Sequence, residues 1–296
     1  AYTKRDRVVA CGYHGWQDWY IGATARNLGV PQATRGLTSL FNYNDLDSLK
    51  RQFELYPDQI AAVIMEPMNV YAPEPGFLEG VKEITRQGGA VLIFDETVTG
   101  FRFSIGGAQK MFGVTPDLAT FGKGMANGYP ISVLCGRADI MTLMEEIFFS
   151  TTFGGETLSL AAAQATITKL KVEPVIETLR NQGTKVMVGL RELIRSNDLE
   201  NTLSVAGDPS WSFFMMKDSP GVSSWELKTL YMQEMMARSI LTLGTFNMSY
   251  AHSDADIAKL LSSLGEVLPI MGDAIRSGSV SKFLNCEPLK PLFRVR

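Results

Sequence analysis

Histidine and cysteine are scarce. The 296-residue chain has 2 histidines and 3 cysteines. Cys11, Cys135 and Cys286 form an odd set without metal-type spacing, and two histidines come close to excluding a His-based zinc site. Such sparse cysteine use fits a reducing, cytoplasmic setting. The apolar runs are far too short to span a bilayer, so no membrane partner is expected, and the start, Ala1-Tyr2-Thr3-Lys4, has no charged-then-apolar signal pattern. An excess of one charge is missing as well. With 28 basic against 31 acidic residues, net −3, no basic stripe points to nucleic acid and no acidic block to a tail. Nucleotide loops are also absent: Gly122-Lys123 lacks the earlier glycine and the following Ser/Thr of a P-loop, and no Gly-x-Gly-x-x-Gly opens a helix after a strand.

What remains is a globular composition, 45% hydrophobic with mean hydropathy +0.03, long enough for two domains or one large one. The informative stretch runs from Asp117 to Pro130. Leu118 to Phe121 reads as the end of a buried strand, and Lys123 follows between Gly122 and Gly124 in a Gly/Asn/Pro-rich loop. In an α/β sheet, ligands bind at loops after the C-terminal ends of strands. An earlier apolar run, Ala90 to Phe94, suits a parallel strand covered on both faces and ends in Asp95-Glu96. Twenty-eight residues separate Asp95 from Lys123, enough for one crossover back to the same rim. A buried acid and a buried lysine on one rim suit pyridoxal phosphate, whose aldehyde takes a lysine amine and whose ring nitrogen takes an aspartate. A lone Gly-Lys-Gly is more often a surface turn; the acid-ended strand before it shifts the balance.

Five words in order carry a resemblance: Gly12-Tyr13-His14-Gly15-Trp16, Met65-Glu66-Pro67, Phe94-Asp95-Glu96-Thr97-Val98-Thr99-Gly100-Phe101-Arg102, Phe121-Gly122-Lys123-Gly124 and Thr151-Thr152-Phe153-Gly154-Gly155. Over residues 1 to about 170 the chain resembles class III pyridoxal-phosphate aminotransferases, closest to the glutamate-1-semialdehyde aminomutase branch. The last third matches loosely. The resemblance implies a fold type I α/β transferase: a mostly parallel large-domain sheet with helices on both faces, plus a smaller α+β C-terminal domain. It implies pyridoxal 5′-phosphate held as a Schiff base by Lys123, with Asp95 at the ring nitrogen and Tyr13 stacked on the ring beside His14. Thr97 and Val98 pack against the ring. Thr152 reaches the phosphate from the neighbouring subunit of a homodimer. Glu66, Trp16 and Asn247 are substrate-side candidates, although bonding loop amides explains Glu66 at least as well. Tyr13, Trp16 and Trp19 also read as loop aromatics packed on the core.

The partners implied are a small-molecule amino donor and a carbonyl acceptor. Transamination and an intramolecular amino shift both remain open, because 244–252 holds neither the arginine nor the glutamate that fixes substrate in those two groups. A non-catalytic relic serving as a scaffold is the third reading. It leaves the lysine and acid unexplained, since burying each costs several kcal/mol unless it is used or paired. In the family a Gly/Ser-rich phosphate cup and its helix lie upstream of Val8. Their absence here suggests a segment of a longer protein, with one sheet face or edge left uncovered.

The expected elements follow from pattern. Strands are expected at Val8–Cys11, Ile60–Met65, Val91–Asp95, Leu118–Phe121, Ile131–Cys135 and Phe213–Lys217, with residues 20 to 45 as a long loop. Helices are expected from an Asn44 or Asp45 cap to Phe53, over Pro75–Gln87, Gly136–Met144, Leu158–Lys171, from Pro174 to about Ser196, over Ser224–Arg238 and over Asp254–Ile275. Small polar residues and glycines at 151–155 ahead of a helix suggest an anion site, with Glu156 turned away from it as a helix-start charge. The domains expected are 1–172, binding the cofactor, and 173–296, a long connecting helix and a small α+β domain.

Overall fold

The computed structural model describes residues 1–290. The chain divides into two compact units, Ala1–Glu173 and a second beginning at Pro174.

The first unit is built on a six-stranded sheet of order β2-β1-β3-β4-β5-β6. Its strands are β1 (Arg7–Cys11), β2 (Thr38–Leu40), β3 (Ile60–Met65), β4 (Val91–Asp95), β5 (Leu118–Phe121) and β6 (Val133–Gly136). The first five are parallel and β6 pairs antiparallel to β5. Parallel neighbours put the C-terminal ends of β1, β3, β4 and β5 on one rim, which is where the chemistry-bearing motifs stand.

One face of this sheet carries the main core. Helices α1 (Leu46–Leu55) and α2 (Phe77–Gln87) lay Leu49, Phe77, Leu78 and Val81 against Val9, Val63, Met65, Leu92 and Phe94. Asp45 caps α1 by accepting the Ser48 amide at 2.9 Å, which closes one of the orphan donors of the first turn. Gly76 precedes α2 in the left-handed conformation, φ +83°, so the turn at Pro75 enters the helix two residues later than the proline suggests. On the other face, Val91 and Leu118, with half-buried Ala62 and Ile93, pack on Ile140 and Met141. A cavity of about 220 Å³ remains there, walled by Ala62, Ile93, Leu134 and Met144 among others.

Three expectations differ here. The loop expected over 20–45 contains the short half-buried strand β2, which pairs with β1 from Thr38 to Leu40. The helix expected over Gly136–Met144 is broken: Gly136 closes β6, a single α turn spans Ala138–Met141, and Thr142–Glu145 tightens to 3₁₀. Gly136 is held in the strand by pairing with Leu118, and only glycine fits, since a Cβ there would lie 2.2 Å from the Asp117 carbonyl oxygen. Third, β6 begins at Val133, two residues after the expected start.

Two more helices complete this unit, α3 (Gly107–Phe112) and α4 (Thr157–Val172).

The second unit holds three long helices, α5 (Val175–Ser196), α6 (Ser224–Ala237) and α7 (Asp254–Ser277), and a three-stranded antiparallel sheet. Its strands are β7 (Leu203–Asp208), β8 (Trp211–Met216) and β9 (Thr245–Asn247). β7 and β9 were not expected; their polar and apolar residues alternate too weakly to stand out until paired with β8. α6 starts in a capping box, Ser223 with Glu226, as the Ser-x-x-Glu spacing predicts.

Candidate active site

The C-terminal rim of the first sheet gathers Tyr13 and His14 after β1, Glu66 after β3, Asp95 at the end of β4 and Lys123 just past β5. Asp95 is the hub. Its Oδ2 lies 2.8 Å from His14 Nδ1, and its Oδ1 accepts the Thr97 amide at 3.1 Å and the Thr120 hydroxyl at 3.3 Å. Burial pushes the Asp95 carboxyl up, but the bonds from His14 and Thr97 outweigh it and hold the carboxyl below the usual range. The acid is thus kept ionised on a rim that would otherwise favour its neutral form.

His14 is enclosed. Its side chain is 1% exposed, stacked on Trp19 and edge-on to Tyr20. The other ring nitrogen, Nε2, lies 3.1 Å from the Cys11 carbonyl oxygen. A carbonyl only accepts, so Nε2 carries the hydrogen of that bond. Rigid support of this kind keeps the carboxylate aimed.

Glu66 is buried among the same strand ends. Its Oε2 accepts the Tyr13 amide at 3.0 Å and Asn69 Nδ2 at 2.9 Å. Burial raises its carboxyl above the ordinary range, against those two donors and the nearby His14. Burial, together with nearby Glu66, also pushes the Cys11 thiol up to about 12, so Cys11 stays a neutral thiol. Tyr13 itself turns a half-exposed ring outward, and Trp16 is 75% exposed.

Beyond Asp95, Glu96 is fully buried and serves the fold. Its carboxylate accepts the Thr99 hydroxyl and the amides of Ala108 and Gln109, both at 2.8 Å, at the start of α3. Thr97 and Val98 are half-buried in the turn between. A Cβ on Gly122 would stand 3.6 Å from Thr97 Cγ2, which brings this turn against the residue before Lys123.

Lys123 departs from expectation. A buried lysine is implied by the sequence, but the side chain is exposed, at the mouth of an open cavity of about 440 Å³ walled by Gly128 to Ser132. The reason is local: Lys123 opens a three-residue 3₁₀ turn with φ +43° just past β5, so it stands in the loop at the rim and not inside the sheet. A non-glycine residue held there costs ~1–3 kcal/mol, and such outliers cluster at functional sites.

At the start of α4, Glu156 is the helix-start charge expected there. It is the N-cap, and its carboxylate accepts the amides of Leu158 and Ser159, each at 2.7 Å. The anion position expected at this helix start is therefore filled by the chain's own side chain. Thr152 sits exposed in the preceding turn. Asn247 belongs to the second unit, exposed at the end of β9, where it lines a cavity of about 410 Å³ with Phe246, His252 and Lys259.

Sequence reasoning missed Thr120, Tyr20, Trp19 and Asn69 as parts of this site. Thr120 had a readable signal: it lies on the strand three residues ahead of Lys123, and the β4–β5 register sets it opposite Asp95. Tyr20 and Asn69 had none, because their roles depend on how two loops fold back.

For a flat, phosphate-bearing heteroaromatic cofactor the rim offers an ionised acid, an aromatic face and an amine, which fit the ring and the covalent link. A family model for class III aminotransferases matches residues 5–208. The 3-aminobutyryl-CoA aminotransferase of Cloacimonas acidaminovorans is 34% identical over 276 residues, which cover 90% of this chain and 66% of that protein. The glutamate-1-semialdehyde 2,1-aminomutase 2 of Brevibacillus brevis is 33% identical over 291 residues, 88% of this chain and 67% of that protein. The chain thus spans about two thirds of the length of these curated relatives. Among solved structures, the FumI protein of Sphingopyxis sp. MTA144, in its PLP internal aldimine form, superposes with TM-score 0.84 at 25% identity. It covers 93% of this chain and 67% of its own.

Proposed function

The chain belongs to the class III aminotransferase family, and on that premise we propose that it binds pyridoxal 5′-phosphate at the rim and transfers an amino group. The substrates are a small-molecule amino donor and a small aldehyde or ketone. The observation that carries this reading is the convergence of Asp95 and Lys123 on adjacent parallel strand ends, with Asp95 kept ionised by His14 and Thr97.

In this reading Tyr13, Thr97 and Val98 are the residues that would hold the cofactor ring, Tyr13 by its aromatic face. Asp95 holds a proton on the ring nitrogen, and His14 holds Asp95. When bound, the cofactor supplies an electron sink for the bond broken at the amino-bearing carbon. Lys123 Nζ is the amine that would hold the cofactor covalently and, when freed, would move a proton at the amino-bearing carbon. Exposure of Lys123 in the chain alone suits an amine that must meet an aldehyde from solution.

The working unit proposed is a homodimer in the cytoplasm. Its support is an apolar run around Thr152: Phe148 is 97%, Phe149 69% and Phe153 76% exposed. Side chains so exposed and so close together mark an interaction surface. Thr152 then acts on the partner subunit's phosphate.

The test is borohydride reduction of the cofactor-loaded protein followed by peptide mapping. Label on the peptide containing Lys123 is expected; label elsewhere, or none, removes the assignment. A second reading, an intramolecular amino shift, is favoured by the 33% identity to the aminomutase of Brevibacillus brevis. Conversion of glutamate-1-semialdehyde without any added acceptor distinguishes it.

A further inference from the structure

One peptide unit on the rim is gripped from both sides. The carbonyl of Gly12 accepts the Tyr20 hydroxyl at 2.6 Å, and the amide of Tyr13, the other half of the same peptide, donates to Glu66 Oε2 at 3.0 Å. Both gripping side chains are interior: Tyr20 is 0% and Glu66 8% exposed. They come from different places, Tyr20 from the one-turn helix Asp18–Ile21 and Glu66 from the end of β3. Asn69 holds Glu66 in turn at 2.9 Å. Gly12 has φ +101°, and a Cβ there would come within 2.6 Å of Glu66 Oε2, so the approach is open only to glycine.

Fixing a peptide plane fixes the N–Cα axis about which the next Cβ turns, so one torsion, φ of Tyr13, remains to set that direction. Here the next residue carries the Tyr13 ring, which is half exposed and meets Tyr20 edge-on, at 5.7 Å between centroids. Left to itself, such a ring on a Gly-flanked loop would sample several directions. A second fact sets Glu66 apart from a substrate contact: Oε2, the oxygen nearest the loop, is already taken by two donors.

We propose that Glu66 and Tyr20 are positioning residues that clamp the Gly12–Tyr13 peptide and so narrow the directions open to the Tyr13 ring, keeping its face available to a bound heteroaromatic ring. The positioning half of this inference rests on the cofactor reading above; the clamp itself does not. Glu66 thereby moves from the substrate side of the site to its scaffold. A carboxylate is not required for the grip, because an amide oxygen accepts an N–H equally well in geometry.

The experiment has two readouts. The first is hydrogen exchange at the Tyr13 amide in the cofactor-free chain. Glu66→Ala is expected to speed exchange there by about tenfold or more, as for a lost bond to a buried charged acceptor, while Glu66→Gln leaves it within about threefold of wild type. Tyr20→Phe, which keeps the ring and removes only the hydroxyl, is expected to speed the same amide and keeps the test usable should Glu66→Ala not fold. The second readout is the dissociation constant for pyridoxal phosphate, followed by its visible absorbance. Glu66→Ala should weaken binding about tenfold when Tyr13 is present and less than about twofold in a Tyr13→Ala background. Unchanged Tyr13 exchange in both Glu66→Ala and Tyr20→Phe overturns the clamp. Equal loss of affinity with and without Tyr13 overturns the positioning role. If exchange responds as expected but even the wild type binds no cofactor, the clamp stands and the cofactor reading falls.

Discussion

Replacing His14 by phenylalanine tests the hub of the site most directly. Phenylalanine keeps a flat ring between Trp19 and Tyr20 and removes only the two polar contacts. The first, to Asp95 at 2.8 Å, is a bond to an ionised group on a side chain 14% exposed, worth ~1.5–3 kcal/mol. The second, to the Cys11 carbonyl, is cheaper to lose, because that oxygen also accepts the Glu66 amide at 3.3 Å; ~0.5–1 kcal/mol is a fair figure. Together they put the loss at ~2–4 kcal/mol, against which the more apolar ring gives back part through burial. The direction of the Asp95 titration follows. Its folded carboxyl lies below the ordinary value, so its contribution is present above the unfolded pKa and is lost as pH falls through the folded one. Without His14 the burial contribution dominates and the carboxyl moves up, so acid unfolding begins at higher pH. Urea unfolding of the first unit at neutral pH, and carboxyl NMR of Asp95 through an acid titration, read both quantities. A His14→Phe protein as stable as wild type, with Asp95 titrating where it did before, would refute the claim that His14 sustains this carboxylate.

Four further outcomes are expected. Glu66 has the opposite sign to Asp95: its carboxyl is raised, so its contribution is fullest below the ordinary glutamate value and is lost as pH rises through the folded one; Glu66→Gln should therefore unfold at equal or higher urea than wild type at neutral pH. Gly183→Ala gains ~1 kcal/mol of helix propensity, but its Cβ would lie 1.6 Å from the Pro209 carbonyl oxygen; net destabilisation of the second unit, read by thermal melting, is expected. Glu156→Ala removes the cap of α4 and should lower stability, with faster exchange at the Leu158 and Ser159 amides. Mixing Thr152→Ala with Lys123→Ala subunits in equal amounts should restore about a quarter of the sites by random pairing, one of two sites in each mixed dimer; no recovery would place Thr152 in its own subunit's site.

Much of the first unit was legible because its signals are local. Apolar runs such as Ile60–Met65 and Val91–Asp95 end in carboxylates, and in a parallel sheet those ends share a rim whatever the loops between them do. The pair Asp95 and Lys123 and the capping box at Ser223 belong to this class: residue type and spacing carry them. Only tertiary structure decided what each group faces. That Glu66 grips the Tyr13 amide depends on a loop returning to the rim from a distant part of the chain, whereas that Glu156 caps its own helix and that Lys123 is exposed depend on the local turn each finally adopts. A carboxylate is drawn to whichever donors lack partners, and which donors those are is a property of the folded chain, not of the residues on either side.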